Sequence, residues 1–395
     1  MKNQLEKLQT IMSHQSEDAY ILIDYENKNQ LVKSLLGNKM LTRKIIVCIP
    51  KTNKPFVICH FIDSVFLSTE DITSVFNIFI YKKWEELLSI QKALFKEYKN
   101  VLMDISENGL LPRISLADYG SVKFICDLGI AVHSSGNLQQ EMIATLSKRS
   151  RNLQDQACSL TLQIKDEAFA LIKKEIEEKG ETNEYFIQQF ICKRFTEEGM
   201  VFDEAPIVAI GPNASNPHYG PTKDKYSKIK KGDLVLIDMW AKMDDEEAVY
   251  ADITWMGYVG KEVPQVILDR FDIVKRARDG VIDFLTKEIP NRPVFAYEAD
   301  DVARNIITSL GYGEYFLHRV GHNIGVDVSP HGPGANLDNY ETHDERYLLN
   351  FTSFSDEPGI YAPDFGLRLE TDLRIDDNQL KVVGGLQQEI IRILD

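Results

Sequence analysis

The chain has 395 residues, more than the roughly 250–300 at which a single core stops growing, so two domains are expected. Hydrophobic residues make up 44% and charged residues 27%, which argues against a disordered chain, a fibre or a disulfide miniprotein. Lys and Arg number 45 against 60 Asp and Glu; a net charge of −15 argues against nucleic-acid binding by a basic surface and leaves carboxylates to hold cations.

Residues 1–135 read as a mixed α/β module. KIIVCIP at 44–50 and KPFVICHFI at 54–62 read as strands around the turn Lys51-Thr52-Asn53, and VLMDIS at 101–106 and SVKFICDLG at 121–129 read as strands too. His14, His60 and His133 are isolated and read as structural. The first residues hold no apolar run of signal-peptide length, and no stretch approaches the roughly 20 apolar residues that cross a bilayer. Cys48, Cys59, Cys126, Cys158 and Cys192 are odd in number, scattered and without a CxxC pair, as expected of reduced thiols in a cytoplasmic protein.

From 136 to 201 the pattern turns helical and charged: one long helix with Gly180 as its stop, then a second over about 183–198. This helical bridge opens the second domain, 136–395, with the boundary at the Ser134-Ser135-Gly136 break. Residues 202–395 are richer in strands and Gly/Pro turns and carry five of the eight histidines. No GxxxxGK[ST] or GxGxxG fingerprint occurs, so no nucleotide cofactor is expected.

Three segments of this region carry chemistry. In KKGDLVLIDMWAKMDDEEAVYADITWMGYVG, a hairpin closed by Met243–Glu247 makes Asp238 face Asp252. In FTSFSDEPGIYAPDFGLRLETDLRI, a turn at Ala362-Pro363-Asp364-Phe365 makes Glu357 face Glu370, although Pro358 favours an edge or a bulge there. Arg368, two residues before Glu370, shares its face. In FLHRVGHNIGVDVSPHGPGAN, His318 and His322 are spaced for one helix face, but Gly321 and Gly325 disfavour a helix; His322 suits the edge of a strand over 324–328. Like charges that meet on one apolar face repel unless a proton or a cation sits between them. Asp238, Asp252, His322, Glu357 and Glu370 together suit two divalent cations, Mn²⁺ first, with Zn²⁺, Co²⁺ or Fe²⁺ as options.

The order and context of these five residues resemble the pita-bread metallopeptidases, which include methionine aminopeptidase, aminopeptidase P, Xaa-Pro dipeptidase and the metal-free creatinase. The resemblance implies an α+β fold, a C-terminal pita-bread domain preceded by a smaller creatinase-type α/β domain, with the metal-site sheet in 202–395. It carries the ligand roles to Asp238, Asp252, His322, Glu357 and Glu370, and a substrate-binding role to His218 in NPHYGPT. Three departures stand out. The two aspartates are 14 apart where the family usually has 11, a longer hairpin loop. Ser329 stands where a further histidine is usual, and that role passes to His331. The arginine that meets a dipeptide's carboxylate has only Arg346 or His343 as candidates.

By the same resemblance the substrate is a short peptide with proline at P1′, cut at the Xaa-Pro bond, with Glu357 as ligand and proton shuttle and Arg368 ordering a carboxylate. A homodimer is implied, as is an N-terminal module that caps the site or builds the dimer. The alternatives are an inactive pita-bread binding protein, which should have lost ligands, or a peptidase without proline specificity. A creatinase-like amidinohydrolase need not keep four carboxylates, and methionine aminopeptidase lacks so long an N-terminal module.

Overall fold

Runs of Val and Ile make the strands, and polar capping residues set the helix ends, in both halves of the chain. The protein is described from a computed structural model, which covers residues 2–395 except 327 and 328. It forms two compact units, Met1–Met142 and Ile143–Asp395. The expected boundary at 136 falls seven residues early: the helix Gly136–Ile143 buries Leu138 and Met142 in the core of the first unit.

In the first unit a six-stranded mixed sheet is covered by helices. Ile45–Pro50 and Phe56–His60 form the expected antiparallel pair, and Asn100–Met103 lies parallel to Ala19–Asp24. The segment 121–129 is not a strand. Asp118 accepts the Ser121 amide and caps the helix Tyr119–Asp127, whose Ile125 alone of its large apolar residues is fully buried. A run with that cap, and with apolar residues spread over several faces, folds as a helix. At the centre of the unit the buried Asp104 carboxylate accepts from Tyr20 (2.5 Å), Ser135 (2.7 Å), Gln139 (2.7 Å) and Asn29 (2.9 Å).

The second unit begins with two helices. Ser147 caps Lys148–Lys179 through the Ser150 amide, and Gly180, at φ 79°, ends it in the left-handed conformation that glycine adopts freely. Asn183 caps Glu184–Glu197. Both pack on a sheet in which Leu234–Met243 lies between Ala251–Tyr258 and the strands Ile207–Ile210 and Met200–Val201. The alternation of strand residues is strict. Val235, Ile237, Met239, Ala251 and Ile253 join the core with these helices, while Leu236 and Met256 join the core with the helices Gln265–Glu288 and Ala296–Ser309. Asp238, Trp240, Asp252 and Thr254 therefore belong to the second face. A second sheet, ordered Asn323–Ile324, Ser353–Asp356, Thr371–Asp376, Gln379–Val382, meets the first where Thr254 bridges Glu370.

Candidate metal centre

The two carboxylate hairpins behave differently. In the first, Asp238 is opposite Thr254, and Asp252 is opposite Trp240. The expected direct facing of Asp238 and Asp252 is thus corrected by two residues. Lys242 and Met243 leave the hairpin to pair with Val201 and Met200, so the connection is longer than the five residues supposed. A shift of two keeps the face, and the aspartates sit diagonally across the ladder.

In the second, Ala362 pairs with Phe365 and Gly359 with Arg368, as expected, and the same register resumes at Asp356–Thr371 and runs to Ser353–Arg374. Between these stretches the ladder opens at Glu357-Pro358. The Glu357 amide donates to the Val320 carbonyl (2.7 Å), and the Glu370 amide to the Thr254 carbonyl (3.2 Å). Both glutamates thereby stand where the strands separate, with side chains on one cleft.

His322 is held from both sides. Its amide donates to Ser355 Oγ (3.0 Å), and its carbonyl accepts the Ser355 amide (2.9 Å). Gly321 is needed for this approach, because a Cβ there would lie 2.0 Å from the Ser355 carbonyl oxygen. The ring Nδ1 lies 3.1 Å from the Asn323 carbonyl, which can only accept. The proton is thus fixed on Nδ1, and Nε2 faces Asp252 (3.5 Å) and Glu357 (3.6 Å). No helix joins His318 to His322. Asn323–Ile324 is a strand, and residues 327 and 328 of the expected longer one lie outside the described residues.

All five expected ligands line one cleft of about 700 Å³. Ligand atoms of Asp252, His322 and Glu370 lie within 4.8 Å of one another. Burial, then the neighbouring carboxylates led by Glu370 for Asp252 and by Glu357 for Glu370, pushes both carboxyls well above the ordinary range. Burial raises Asp238 as well, against the pull of Arg368. A group of buried carboxylates with one guanidinium among them and an imidazole lone pair aimed inward fits divalent cations.

Arg368 shares the face of Glu370 but is bonded elsewhere. Its guanidinium pairs with Asp238, Nε donates to Thr254 Oγ1 (2.9 Å) and Nη1 to Tyr361 (3.1 Å), with Glu370 farther off at 3.9 Å. Thr254 in turn donates to Glu370 (2.7 Å). His218 and His331 both line the cleft from its exposed side. His331 stacks on His322 with centroids 3.9 Å apart and rings 12° from parallel, and its Nδ1 lies 3.3 Å from the Arg319 guanidinium.

Neither Arg346 nor His343 lines the cleft. Arg346 is buried, clamped on Asp344 and on the carbonyls of Pro333 and Gly334. His343 stacks on Tyr297 and bonds Asn339. The guanidinium at the cleft, besides Arg368, is that of Arg319, paired with Glu341 at 2.7 Å. His318, Tyr361 and Thr254 were not among the expected site residues. His318 Nδ1 lies 2.6 Å from the Arg319 carbonyl, so its Nε2 accepts from Tyr361 (2.7 Å), linking His318 through Tyr361 and Arg368 to Asp238. Burial lowers the His318 pKa, which suits this neutral ring. The spacing of His318 to His322 held that information, but only as a pair around the cleft.

Comparison with known proteins gives a consistent picture. Residues 153–377 match the model of metallopeptidase family M24. An Xaa-Pro dipeptidase of Pyrococcus horikoshii is 30% identical over 261 residues, 64% of this chain and 66% of that protein. One from Lactobacillus helveticus is 34% identical over 165 residues, 42% and 40% of the two chains. The chain thus spans less than two thirds of the length of these curated relatives. Among solved structures, the prolidase of Pyrococcus horikoshii covers 98% of this chain and 100% of its own at TM-score 0.56 and 22% identity. A dipeptidase of Mycobacterium ulcerans covers 99% and 97% at TM-score 0.63 and 19% identity. At such identities these show the fold: a pita-bread unit preceded by a smaller mixed α/β unit. The family match spans more than half of the chain and takes in all five expected ligands, and on that ground the chain belongs to metallopeptidase family M24.

Proposed function

We propose that this chain is a dinuclear-metal peptidase that hydrolyses the Xaa-Pro bond at the N-terminus of peptides or in dipeptides. The observation that carries this reading is the cleft itself, in which Asp252, Glu357 and Glu370 gather at His322 and Asp238 lines the same wall, so that all five side chains expected as ligands share it. Asp238, Asp252, His322, Glu357 and Glu370 would hold the ions, and the oxygen-rich set favours Mn²⁺. Two such cations supply positive charge that polarises the scissile carbonyl and acidifies a water. Glu357, the most solvent-open of the four carboxylates at the ladder opening, takes the water proton and returns it to the leaving nitrogen. His218 and His331 donate hydrogen bonds to the substrate from the open side of the cleft. Arg368 orients Asp238, and Thr254 orients Glu370.

Proline at P1′ rests on the Xaa-Pro dipeptidases among the relatives. A homodimer is favoured by the first unit, whose Phe61, Ile62, Val65 and Trp84 are each about half or more exposed. A cytoplasmic location fits five cysteines without a disulfide, and no helix among the described residues is long and apolar enough to cross a membrane. The binding-protein alternative has no lost ligand to support it.

The test is to strip the protein of metal and offer an Xaa-Pro dipeptide and an Xaa-Pro-Xaa tripeptide with and without Mn²⁺. Release of the first residue only with Mn²⁺ supports the reading, and the substrate that is cut separates dipeptidase from aminopeptidase. No cleavage of either with Mn²⁺, or with Zn²⁺, Co²⁺ or Fe²⁺ in its place, refutes it.

A further inference from the structure

Trp240 is a half-buried aromatic residue that packs at the edge of the main core of its unit and also lines the cleft. It stands two residues from Asp238 on the same strand face and directly opposite Asp252 in the ladder. It lines the same cleft as the carboxylates. One part of the indole packs on the small core of Leu146, Val249, Tyr250 and Ile324. Its Nε1 donates to Asp203 Oδ1 at 2.7 Å, so the ring is fixed at its edge as well as its back. Asp203 and the neighbouring Glu204 are exposed and belong to the cleft rim.

The direction of the substrate follows from the roles proposed above, on which this inference rests. Glu357, which serves the leaving nitrogen, comes from the second sheet, and His331 lies on the same side, stacked on His322. Those roles assign the first-sheet side of the cleft, where Asp238, Asp252 and Trp240 line it, to the residue before the scissile bond. A carboxylate on the N–H edge of an indole adds electron density to the ring face, which strengthens attraction for a cation.

We propose that Trp240, held by Asp203, is the wall of the subsite for the first residue's side chain, and that with Asp203 and Glu204 it selects a long cationic side chain, arginine or lysine. Trp240 acts here as a specificity-determining residue and takes no part in proton transfer.

The test is the ratio of kcat/KM for Arg-Pro over Ala-Pro, with Leu-Pro as the uncharged long control, in the Mn²⁺-loaded protein, each peptide extended to Xaa-Pro-Ala if only tripeptides are cut. The wild type should favour Arg-Pro by roughly ten-fold, the scale of a partly desolvated cation–π contact. Trp240→Ala should abolish that preference, mainly through KM. Trp240→Phe, which keeps a ring but loses the bond to Asp203, guards against misfolding and should fall between. Asp203→Asn keeps an acceptor for the indole and removes the charge, so it should lower Arg-Pro against Leu-Pro. A ratio unchanged by Trp240→Phe and Trp240→Ala, or a wild type that prefers Ala-Pro, overturns the proposal. If the wild type cuts no Xaa-Pro substrate, the peptidase reading has failed, and calorimetric titration with argininamide and alaninamide decides the subsite separately. Tighter argininamide binding that Trp240→Ala removes upholds it, and equal binding of the two amides refutes it.

Discussion

Arg368→Met is the sharpest probe of the site. The side chain is buried, and its guanidinium pairs directly with Asp238, one of the four carboxylates expected as ligands. Met retains most of its bulk. Tyr361 keeps its bond to His318, and Thr254 keeps its bond to Glu370, so neither hydroxyl is orphaned. What remains is the loss of positive charge beside Asp238. Removing one partner of a buried pair costs about 3–5 kcal/mol. For a unit of this size each kcal/mol moves Tm by about 2–4 °C, so the metal-free variant should melt roughly 6–20 °C below the metal-free wild type. Bound cations stabilise both proteins, and only tighter binding by the variant narrows the gap: Asp238 freed of Arg368 leaves one more uncompensated carboxylate, and a ten-fold tighter Kd returns about 1.4 kcal/mol. The deficit should therefore shrink by about a third in Mn²⁺. Thermal melts followed by circular dichroism, in chelator and in Mn²⁺, measure both numbers. An equal deficit in the two conditions would show that Arg368 works by packing and that the carboxylates do not share a cation with it.

The remaining expectations are briefer. Glu357→Gln should lower kcat on an Xaa-Pro substrate by about 10²–10⁴ with little change in KM, and unchanged turnover would remove Glu357 from proton transfer. Thr254→Val deletes the hydroxyl between Glu370 and Arg368 and should weaken Mn²⁺ binding by about 10–100-fold in calorimetry, with the melting point of the metal-free protein much less affected. Gly366→Ala would set a Cβ 1.7 Å from the Ala214 carbonyl oxygen, a backbone atom that cannot step aside, and should cost about 3 kcal/mol or more in urea unfolding.

Much of this site was legible because short-range rules fixed it. The tight turn at Ala362–Phe365 set the register of the later hairpin, and that register survives an interruption at Pro358 because the strands rejoin in step. In the earlier hairpin the sequence held no sign that Lys242 and Met243 would pair with Val201 and Met200, a contact made some forty residues away, so the loop was read too short. Parity rescued the conclusion, since an error of two residues leaves the face unchanged. The helix Tyr119–Asp127 was misread because its apolar run is rich in strand formers, while the deciding feature was the capping carboxylate of Asp118. His318 and Arg346 show the limit most clearly: one is linked to Asp238 through a tyrosine hydroxyl and Arg368 and the other is consumed by Asp344, and neither partnership leaves a mark in local sequence.

The bonds that close the cleft tie together distant parts of the polypeptide: Arg368 and Asp238 are 130 residues apart, and Thr254 and Glu370 are 116 apart. Closing such loops adds only a slowly growing entropy, about 0.6 kcal/mol per doubling of length, but it must precede any reward from the contacts. On the ribosome, the two aspartates emerge long before either glutamate, and the cation-binding constellation cannot exist until residue 370 has cleared the exit tunnel. A divalent cation can thus add its stabilisation only late in folding, once the segment carrying Glu357 and Glu370 has met the first sheet.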